Sequence, residues 1–270
     1  MTADTNAEAR SHDRASAAPL LRLSKIGKNF GAVQALIDVD LEIHPGEVVA
    51  LVGDNGAGKS TMIKTIAGIW SPDHGQIFWE GREVHIRNPR DAAALGIATM
   101  YQDLALSDNL DIVQNMFLGR EPVNYLLLNE TAMEIQARQT LSDLSVTTVR
   151  SIRQPVGSLS GGQRQAVAVA RAVLEDAQLV IMDEPTAALG VSQTAMVLRL
   201  VKNLSERGVA VLLISHNLND VFAVADTVAA LYLGRIAGVL KAADIDTQRA
   251  VELITTGSIA KPSTNGSGES

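Results

Sequence analysis

The nine residues that follow the apolar run Val48–Val52 have the types and the spacing of a phosphate cradle. Glycines at the first, fourth and sixth positions let backbone N–H groups turn inward around a polyphosphate. The pattern is G-x-x-x-x-G-K-[ST] between a predicted strand and a predicted helix, where the lysine reaches the terminal phosphates and the next hydroxyl joins Mg²⁺. The predicted nucleotide-binding residues are Gly53, Asp54, Asn55, Gly56, Ala57, Gly58, Lys59, Ser60 and Thr61.

Two adjacent carboxylates, Asp183 and Glu184, follow the apolar run Leu179–Met182. The carboxyl ends of parallel strands form the edge at which α/β sheets bind ligands. We expect Asp183 to hold Mg²⁺ through its water shell and Glu184 to accept a proton from the attacking water or to orient it. An acidic helix cap would have the same local pattern, but beside Lys59 the pair favours hydrolysis of a nucleoside triphosphate.

A second candidate anion site opens the helix predicted over 160–174. Its residues are Leu159, Ser160, Gly161, Gly162 and Gln163. Ser160 is placed to cap the helix, and the two glycines expose N–H groups at its positive end. An ordinary capped helix start is the alternative. A second anion site so far from the first suggests that each serves a different nucleotide.

The elements that must position these motifs alternate between strand and helix. An antiparallel flap is predicted from strands over 20–23 and 35–43, separated by a turn-rich break at 29–31. Further strands are predicted over 48–52, 75–81, 97–101, 179–182, 209–214 and 227–233, and helices over 62–67, 88–96, 111–118, 131–144, 160–174, 191–206, 217–225 and 248–254. This alternation predicts an α/β fold with a mainly parallel core sheet.

The predicted domain organisation is one domain over 20–258 with a helical subdomain at about 103–175, between disordered segments at 1–19 and 259–270. The first nineteen residues have no central apolar block and do not resemble a secretory signal.

Composition narrows the partners of this chain. It has 270 residues, 46% of them hydrophobic, which is ample for a buried core. It contains no cysteine, which excludes disulfides and thiolate metal sites. No apolar run approaches the ~18–20 residues that span a bilayer. The net charge of −7 opposes a broad contact with nucleic acid, which we do not expect as a partner.

The string L-S-G-G-Q, lying between a phosphate loop and an apolar strand that ends in Asp-Glu, resembles the signature of ATP-binding cassette (ABC) ATPases. The resemblance covers roughly residues 20–255. It implies a P-loop NTPase fold of the ABC type, with an antiparallel β flap, an inserted helical subdomain, and ATP and Mg²⁺ as ligands. No guanine-reading N-K-x-D string occurs, which also favours ATP.

Three further residues match functional positions of that family. By resemblance, Phe30 stacks on adenine, Gln102 joins the Mg²⁺ shell and senses the membrane partner, and His216 contacts the γ-phosphate. The catalytic set implied is therefore Glu184, His216 and Gln102. Gly190 departs from the family pattern, which usually has aspartate at this position.

The resemblance also implies a head-to-tail pair of cassettes. In that arrangement the segment Leu159–Gln163 of one subunit closes over ATP held by the phosphate loop of the other. Hydrolysis then lets the pair open, giving a two-state switch that a partner can use for work.

Residues 88–97, 101–106 and 115–121 resemble the monosaccharide importers of the ribose, xylose and fructose type. This implies a peripheral ATPase at the cytoplasmic face of the cell membrane, acting through a separate permease and indirectly with a solute-binding protein. Such ATPases commonly carry two fused cassettes, whereas this chain has one, so we expect a homodimer or a paired ATPase chain.

Two alternative functions are open. One is an importer ATPase for another solute, such as a branched amino acid or a lipid, because no residue of this chain touches the solute. The other is a soluble cassette protein that acts on ribosomes or DNA, which would bring two cassettes, a long coiled-coil insertion or a basic linker.

Overall fold

The computed structural model describes residues 18–258, apart from 102, 125, 126, 147, 175 and 188. Its strands are β1 (Leu21–Phe30), β2 (Val33–Ile43), β3 (Val48–Val52), β4 (His74–Trp79), β5 (Arg82–Val84), β6 (Ile97–Met100), β7 (Val123–Asn124), β8 (Leu127–Leu128), β9 (Leu179–Asp183), β10 (Ala210–Ile214), β11 (Thr227–Tyr232) and β12 (Arg235–Lys241). Its α-helices are α1 (Lys59–Ile66), α2 (Pro89–Ala94), α3 (Ile112–Phe117), α4 (Glu130–Asp143), α5 (Gly161–Leu174), α6 (Val191–Glu206), α7 (Leu218–Val224) and α8 (Thr247–Thr256). Short 3-10 turns cover Val156–Ser158 and Ala242–Asp244.

The central sheet has six strands in the order β12-β11-β3-β10-β9-β6. All neighbours are parallel except β12, which runs antiparallel to β11 at one edge. Strands β3 and β10 consist of buried apolar residues throughout, as expected for parallel strands covered on both faces. The parallel order brings the carboxyl ends of β3, β9 and β10 to one edge of the sheet.

A second, antiparallel sheet has the order β2-β1-β4-β5 and forms the predicted flap. Its inner face packs with α1 and the core sheet in one apolar cluster that includes Leu21, Leu36, Leu51 and Met62. Helix α1 therefore lies between the two sheets. The mainly parallel α/β fold with an antiparallel flap is confirmed.

The break between the first two strands is shorter than predicted. Asn29 pairs with Gln34 and Phe30 with Val33, so two of the three residues of the predicted break belong to β1. The turn consists of residues 31 and 32, and Gly31 takes the left-handed conformation (φ 60°) that such a tight turn requires.

The region 103–175 contains α3, α4 and α5, which pack around Ile112, Met116, Met133 and Val167. The buried residues of α4, Met133, Ala137, Thr140 and Leu141, recur at helical spacing along one side. The chain also forms a short hairpin of β7 and β8 between α3 and α4 that was not predicted. No helix among the described residues is both long and apolar enough to cross a bilayer.

Candidate nucleotide site

Two glycines of the phosphate loop are required by close contact with neighbouring backbone. Gly53 has φ 156°, and a Cβ atom there would lie 2.4 Å from the Leu231 carbonyl oxygen. Gly58 has φ 110°, and its Cβ atom would lie 2.6 Å from the Ala35 carbonyl oxygen. The loop is thus pressed between β11 and β2, and only glycine fits at these two positions.

The Lys59 ammonium spans this loop. Its Nζ donates to the carbonyl oxygens of Gly53 at 2.6 Å and Asp54 at 3.0 Å. Helix α1 begins at Lys59 with Gly58 before it, and no side chain in the described part of the chain caps its first N–H groups. The loop therefore presents a cation and uncapped helix N–H groups at one place, which is the donor set that a polyphosphate needs.

Asp183 ends β9 on the same sheet edge. Burial, and next the charge of Glu184, raise the pKa of Asp183, while Lys59 and Lys64 oppose the shift. The ionised form of Asp183 is therefore destabilised in the ligand-free protein, and a bound cation would stabilise it. Ser60 lines the same cleft as Asp183. A hydroxyl and a carboxylate around one cleft fit Mg²⁺, which usually takes few protein ligands and completes its shell with phosphates and water.

Glu184 is held in an unusual backbone conformation. Its φ is 51°, in the left-handed region, and its N–H donates to the Ile214 carbonyl oxygen at 3.0 Å. Its Oε2 lies 2.6 Å from Nδ1 of His216, whose side chain is 74% exposed. The two residues follow neighbouring strands, β9 and β10, which explains why a pair so distant in sequence meets here.

Most of these groups line one cleft of about 550 Å³, although His216 is not among its lining residues. The predicted residues that line it are Asn55, Gly56, Gly58, Lys59, Ser60, Thr61, Asp183 and Glu184. Sequence reasoning missed Val33, Gln34, Ala35, Ile214, Leu233 and Gly234, which also line it. Neighbouring strands and the turn after β11 contribute these residues, and no chemical pattern marks them in the sequence.

Several predicted residues do not line this cleft, namely Gly53, Asp54, Ala57, Phe30 and His216. Phe30 is not among the residues that line it; its ring lies at the end of β1 against Trp70. Gln102 lies outside the described residues. The metal-shell prediction for Gln102 therefore stays a prediction.

The segment Leu159–Gln163 begins α5 as predicted but does not line the cleft of its own chain. The Ser160 N–H donates to Gln163 Oε1 at 3.0 Å, and the Gln163 N–H donates to Ser160 Oγ at 3.4 Å. A Cβ atom on Gly162 would lie 2.6 Å from the Met196 side chain, because this helix start packs against α6. The segment is well capped and fixed in place.

The loop between Glu184 and α6 carries one buried contact that the sequence did not reveal. Thr186 Oγ1 donates to Oδ2 of the buried Asp220 at 2.7 Å, linking this loop to the first turn of α7. Gly190 ends the loop in an extended conformation, and no atom of the described residues lies near its Cβ direction. An aspartate would fit there without steric conflict.

Within the described part of the chain, no three His, Cys, Asp or Glu side chains are grouped so that they could hold a metal by themselves. Mg²⁺ would therefore need phosphate oxygens as ligands in addition to Ser60 and Asp183.

Comparison with known proteins places this site in a family. A family model described as ABC transporter matches residues 36–187. The chain is 46% identical over 242 residues to the xylose/arabinose import ATP-binding protein XylG of Sulfolobus acidocaldarius, covering 90% of this chain and 96% of the relative. It is 47% identical over 244 residues to the fructose import ATP-binding protein FrcA of Rhizobium meliloti, covering 88% and 94%.

The fold is also similar to solved structures. The ADP conformation of MJ1267, an ATP-binding cassette of an ABC transporter, matches with a TM-score of 0.75 at 25% identity, covering 88% of this chain and 96% of that chain. The family model covers more than half of the chain, and both relatives match over more than nine-tenths of their length. The chain therefore belongs to the ABC transporter family, as one of its ATP-hydrolysing cassettes.

Proposed function

We propose that this chain powers the import of a monosaccharide through a separate membrane permease by binding and hydrolysing ATP. The observation that carries the catalytic part is the 2.6 Å contact between Glu184 Oε2 and His216 Nδ1, on the sheet edge that also bears Lys59. XylG is a xylose/arabinose import ATP-binding protein and FrcA is a fructose import ATP-binding protein, which supports a monosaccharide as the solute.

In this proposal the phosphate loop holds the triphosphate. The Lys59 ammonium exchanges its two carbonyl partners for phosphate oxygens, gaining a charge-assisted contact. Ser60 and Asp183 hold Mg²⁺, with Gln102 as a further ligand. When bound with ATP, Mg²⁺ neutralises charge on the phosphoryl group that is transferred.

Glu184 and His216 divide the remaining tasks. Because an ionised carboxylate only accepts hydrogen bonds, the His216 Nδ1–H donates to Glu184, and Nε2 would need a proton of its own to donate to the γ-phosphate. Glu184 orients the attacking water and accepts its proton. The backbone hydrogen bond from Glu184 to Ile214 keeps this carboxylate next to Asp183 and Lys59. Phe30 provides the stacking surface for adenine.

The cassette, over residues 20–258 with 103–175 as its inserted subdomain, would work in a pair. The segment Leu159–Gln163 lies off the cleft of its own chain and would complete the ATP site of a second copy or of a paired ATPase. The pair would sit at the cytoplasmic face of the membrane, where a permease uses its closing and opening. A solute-binding protein would deliver the sugar, and nucleic acid has no part.

Sugar uptake in the native cell tests this function. A strain that lacks the chain is compared with strains that carry the wild type, Glu184→Gln or Lys59→Ala, using labelled xylose, fructose and ribose. We expect one of these uptakes to be lost and restored by the wild type alone. In purified form, Glu184→Gln should bind ATP, hydrolyse it at least about a hundredfold more slowly and accumulate as a dimer, since the base is missing. Lys59→Ala should bind ATP weakly.

Different results would contradict the catalytic part of the proposal and the choice of solute. Wild-type hydrolysis by Glu184→Gln would remove this residue from the role of base. Unchanged sugar uptake together with lost uptake of a branched amino acid or a lipid would keep the ATPase chemistry and replace the solute.

A further inference from the structure

An aromatic pair lies at the end of β1, where Phe30 pairs with Val33, a residue that lines the cleft. The rings of Phe30 and Trp70 meet edge to face, with centroids 4.6 Å apart and planes at 68°. Phe30 remains 41% exposed, so part of its surface is available to a ligand. Trp70 lies in the segment between α1 and β4 and is not one of the predicted nucleotide-binding residues.

The segment that carries Trp70 is fastened to the strand that carries Phe30. The Lys28 ammonium donates to the Ser71 carbonyl oxygen and to Asp73 Oδ1, both at 2.8 Å. The Asn29 N–H donates to Asp73 Oδ2 at 2.6 Å, and the Asp73 N–H donates to the Gly27 carbonyl oxygen at 2.8 Å. Contacts on the residues just before Phe30 and just after Trp70 therefore keep the two rings together.

Trp70 is also attached to the helix that follows the phosphate loop. The backbone N–H of Trp70 donates to the Lys64 carbonyl oxygen at 3.2 Å. The Lys64 ammonium lies 4.8 Å from the centre of the Trp70 ring. Lys64 belongs to α1, whose first residues are Lys59 and Ser60. The Trp70 side chain therefore contacts both Lys64 of α1, the helix that would bind the phosphates, and Phe30, whose ring would bind the base.

We propose that Trp70 is a positioning residue for base binding, which holds the Phe30 ring in the orientation that adenine requires. The inference rests on the proposed contact of Phe30 with adenine. Without Trp70, the exposed Phe30 ring regains rotamer freedom that it must lose again when the base binds, so affinity falls. Since Trp70 acts through Phe30, the loss should depend on the base and not on the phosphates.

Equilibrium binding of ATP and of inorganic tripolyphosphate to the full chain tests this role. We expect Trp70→Ala to bind ATP about two- to tenfold more weakly, the range that an aromatic pair supports, and to bind tripolyphosphate like the wild type. Trp70→Phe keeps a ring next to Phe30 and should recover most of the ATP affinity. In a Phe30→Ala background, Trp70→Ala should have no further effect, because the ring that it positions is absent.

Phe78→Ala is the matched control. It removes a half-buried ring of β4 that stacks with Arg22 at 4.3 Å, on the same sheet but outside the set that lines the cleft, so ATP affinity should not change. Equal weakening of ATP and tripolyphosphate by Trp70→Ala would overturn the inference and make Trp70 a support of α1. Wild-type ATP affinity in Trp70→Ala, with weak binding in Phe30→Ala, would overturn it and leave the role of Phe30 intact. Wild-type affinity in Phe30→Ala would remove the proposed adenine contact and the inference with it.

Discussion

Asp183 is placed to bind a cation, and its charge destabilises the protein when no cation is bound. Its carboxylate is half-buried at the end of β9 and has Glu184 as its neighbour, and these two causes raise its pKa. Lys59 and Lys64 reduce the shift without cancelling it. The side chain is therefore better suited to the protein with a bound cation than to the protein alone.

Replacing Asp183 by asparagine should therefore stabilise the ligand-free chain at neutral pH and weaken Mg²⁺-dependent ATP binding. A raised pKa in the folded state means that the charged form destabilises the fold above that pKa. The penalty disappears below the unfolded value of about 3.9. The thermal midpoint of Asp183→Asn, measured by calorimetry, should exceed that of the wild type at pH 7, and the difference should shrink as the pH approaches 4.

Asp40→Asn provides a control of opposite sign. Hydrogen bonds from Lys25 lower the pKa of Asp40, so its charge stabilises the fold above the unfolded value, and this contribution is lost as pH falls through the lowered pKa. Asparagine at this position should lower the midpoint at pH 7. A lower midpoint for Asp183→Asn as well would contradict the desolvation argument.

At the scale of elements, strongly periodic or uniformly apolar segments could be predicted from the sequence, and edge elements could not. The bounds of β3 and α6 agree with prediction at both ends, because an uninterrupted apolar run marks β3 and a clear helical period marks α6. Strand β12 was missed because it is a half-exposed edge strand with a mixed pattern, joined to β11 by a turn at Leu233 and Gly234.

The same limit applies to the site. The loop Gly53–Thr61 and the pair Asp183–Glu184 are contiguous in sequence and were found by pattern. The pairing of Glu184 with His216 depends on β9 and β10 being neighbours, and the contact of Phe30 with Trp70 depends on a loop that folds back onto β1. Such contacts follow from the order of the strands and the path of the loops, and no local sequence pattern indicates them.

Arg153 joins two helices of the region 103–175. Its guanidinium binds Asp111, which caps α3, and both Glu130 and Glu134 in the first turns of α4, at 2.6 to 3.1 Å. Hydrogen bonds to these carboxylates raise the pKa of Arg153 further above its ordinary value. Because the group is partly exposed, solvent screens the network, and we expect it to contribute about 1 kcal/mol.

Arg153→Met should lower the free energy of unfolding by that amount and speed hydrogen exchange in α3 and α4, while ATP affinity stays unchanged. Arg138→Met is the control, since Arg138 is 65% exposed and contacts Glu134 only at 4.0 Å. Hydrogen exchange that is equally fast in both variants would show that the three-carboxylate network contributes no more than a surface pair.

At the scale of the whole molecule, the two predicted anion sites do not meet within one chain. The cleft holds the phosphate loop and Glu184, whereas Leu159–Gln163 begins α5 and is fixed there by its cap and by Met196. A segment so well ordered and so separate from the cleft is suited to a surface that meets a second cassette. In a two-fold pair each site would take its loop from one copy and its signature segment from the other.

Such composite sites make two inactive variants complement each other. Ser160→Arg keeps an intact phosphate loop but places a bulky charge on the signature segment, and Lys59→Ala keeps an intact segment but loses the phosphate-binding charge. Each alone should hydrolyse ATP slowly. In an equal mixture, random pairing makes half of the pairs mixed, and one of the two sites in each mixed pair is intact, so about a quarter of the wild-type rate should return. A mixture no more active than its components, at a concentration where the wild type pairs, would argue that each chain completes its own site.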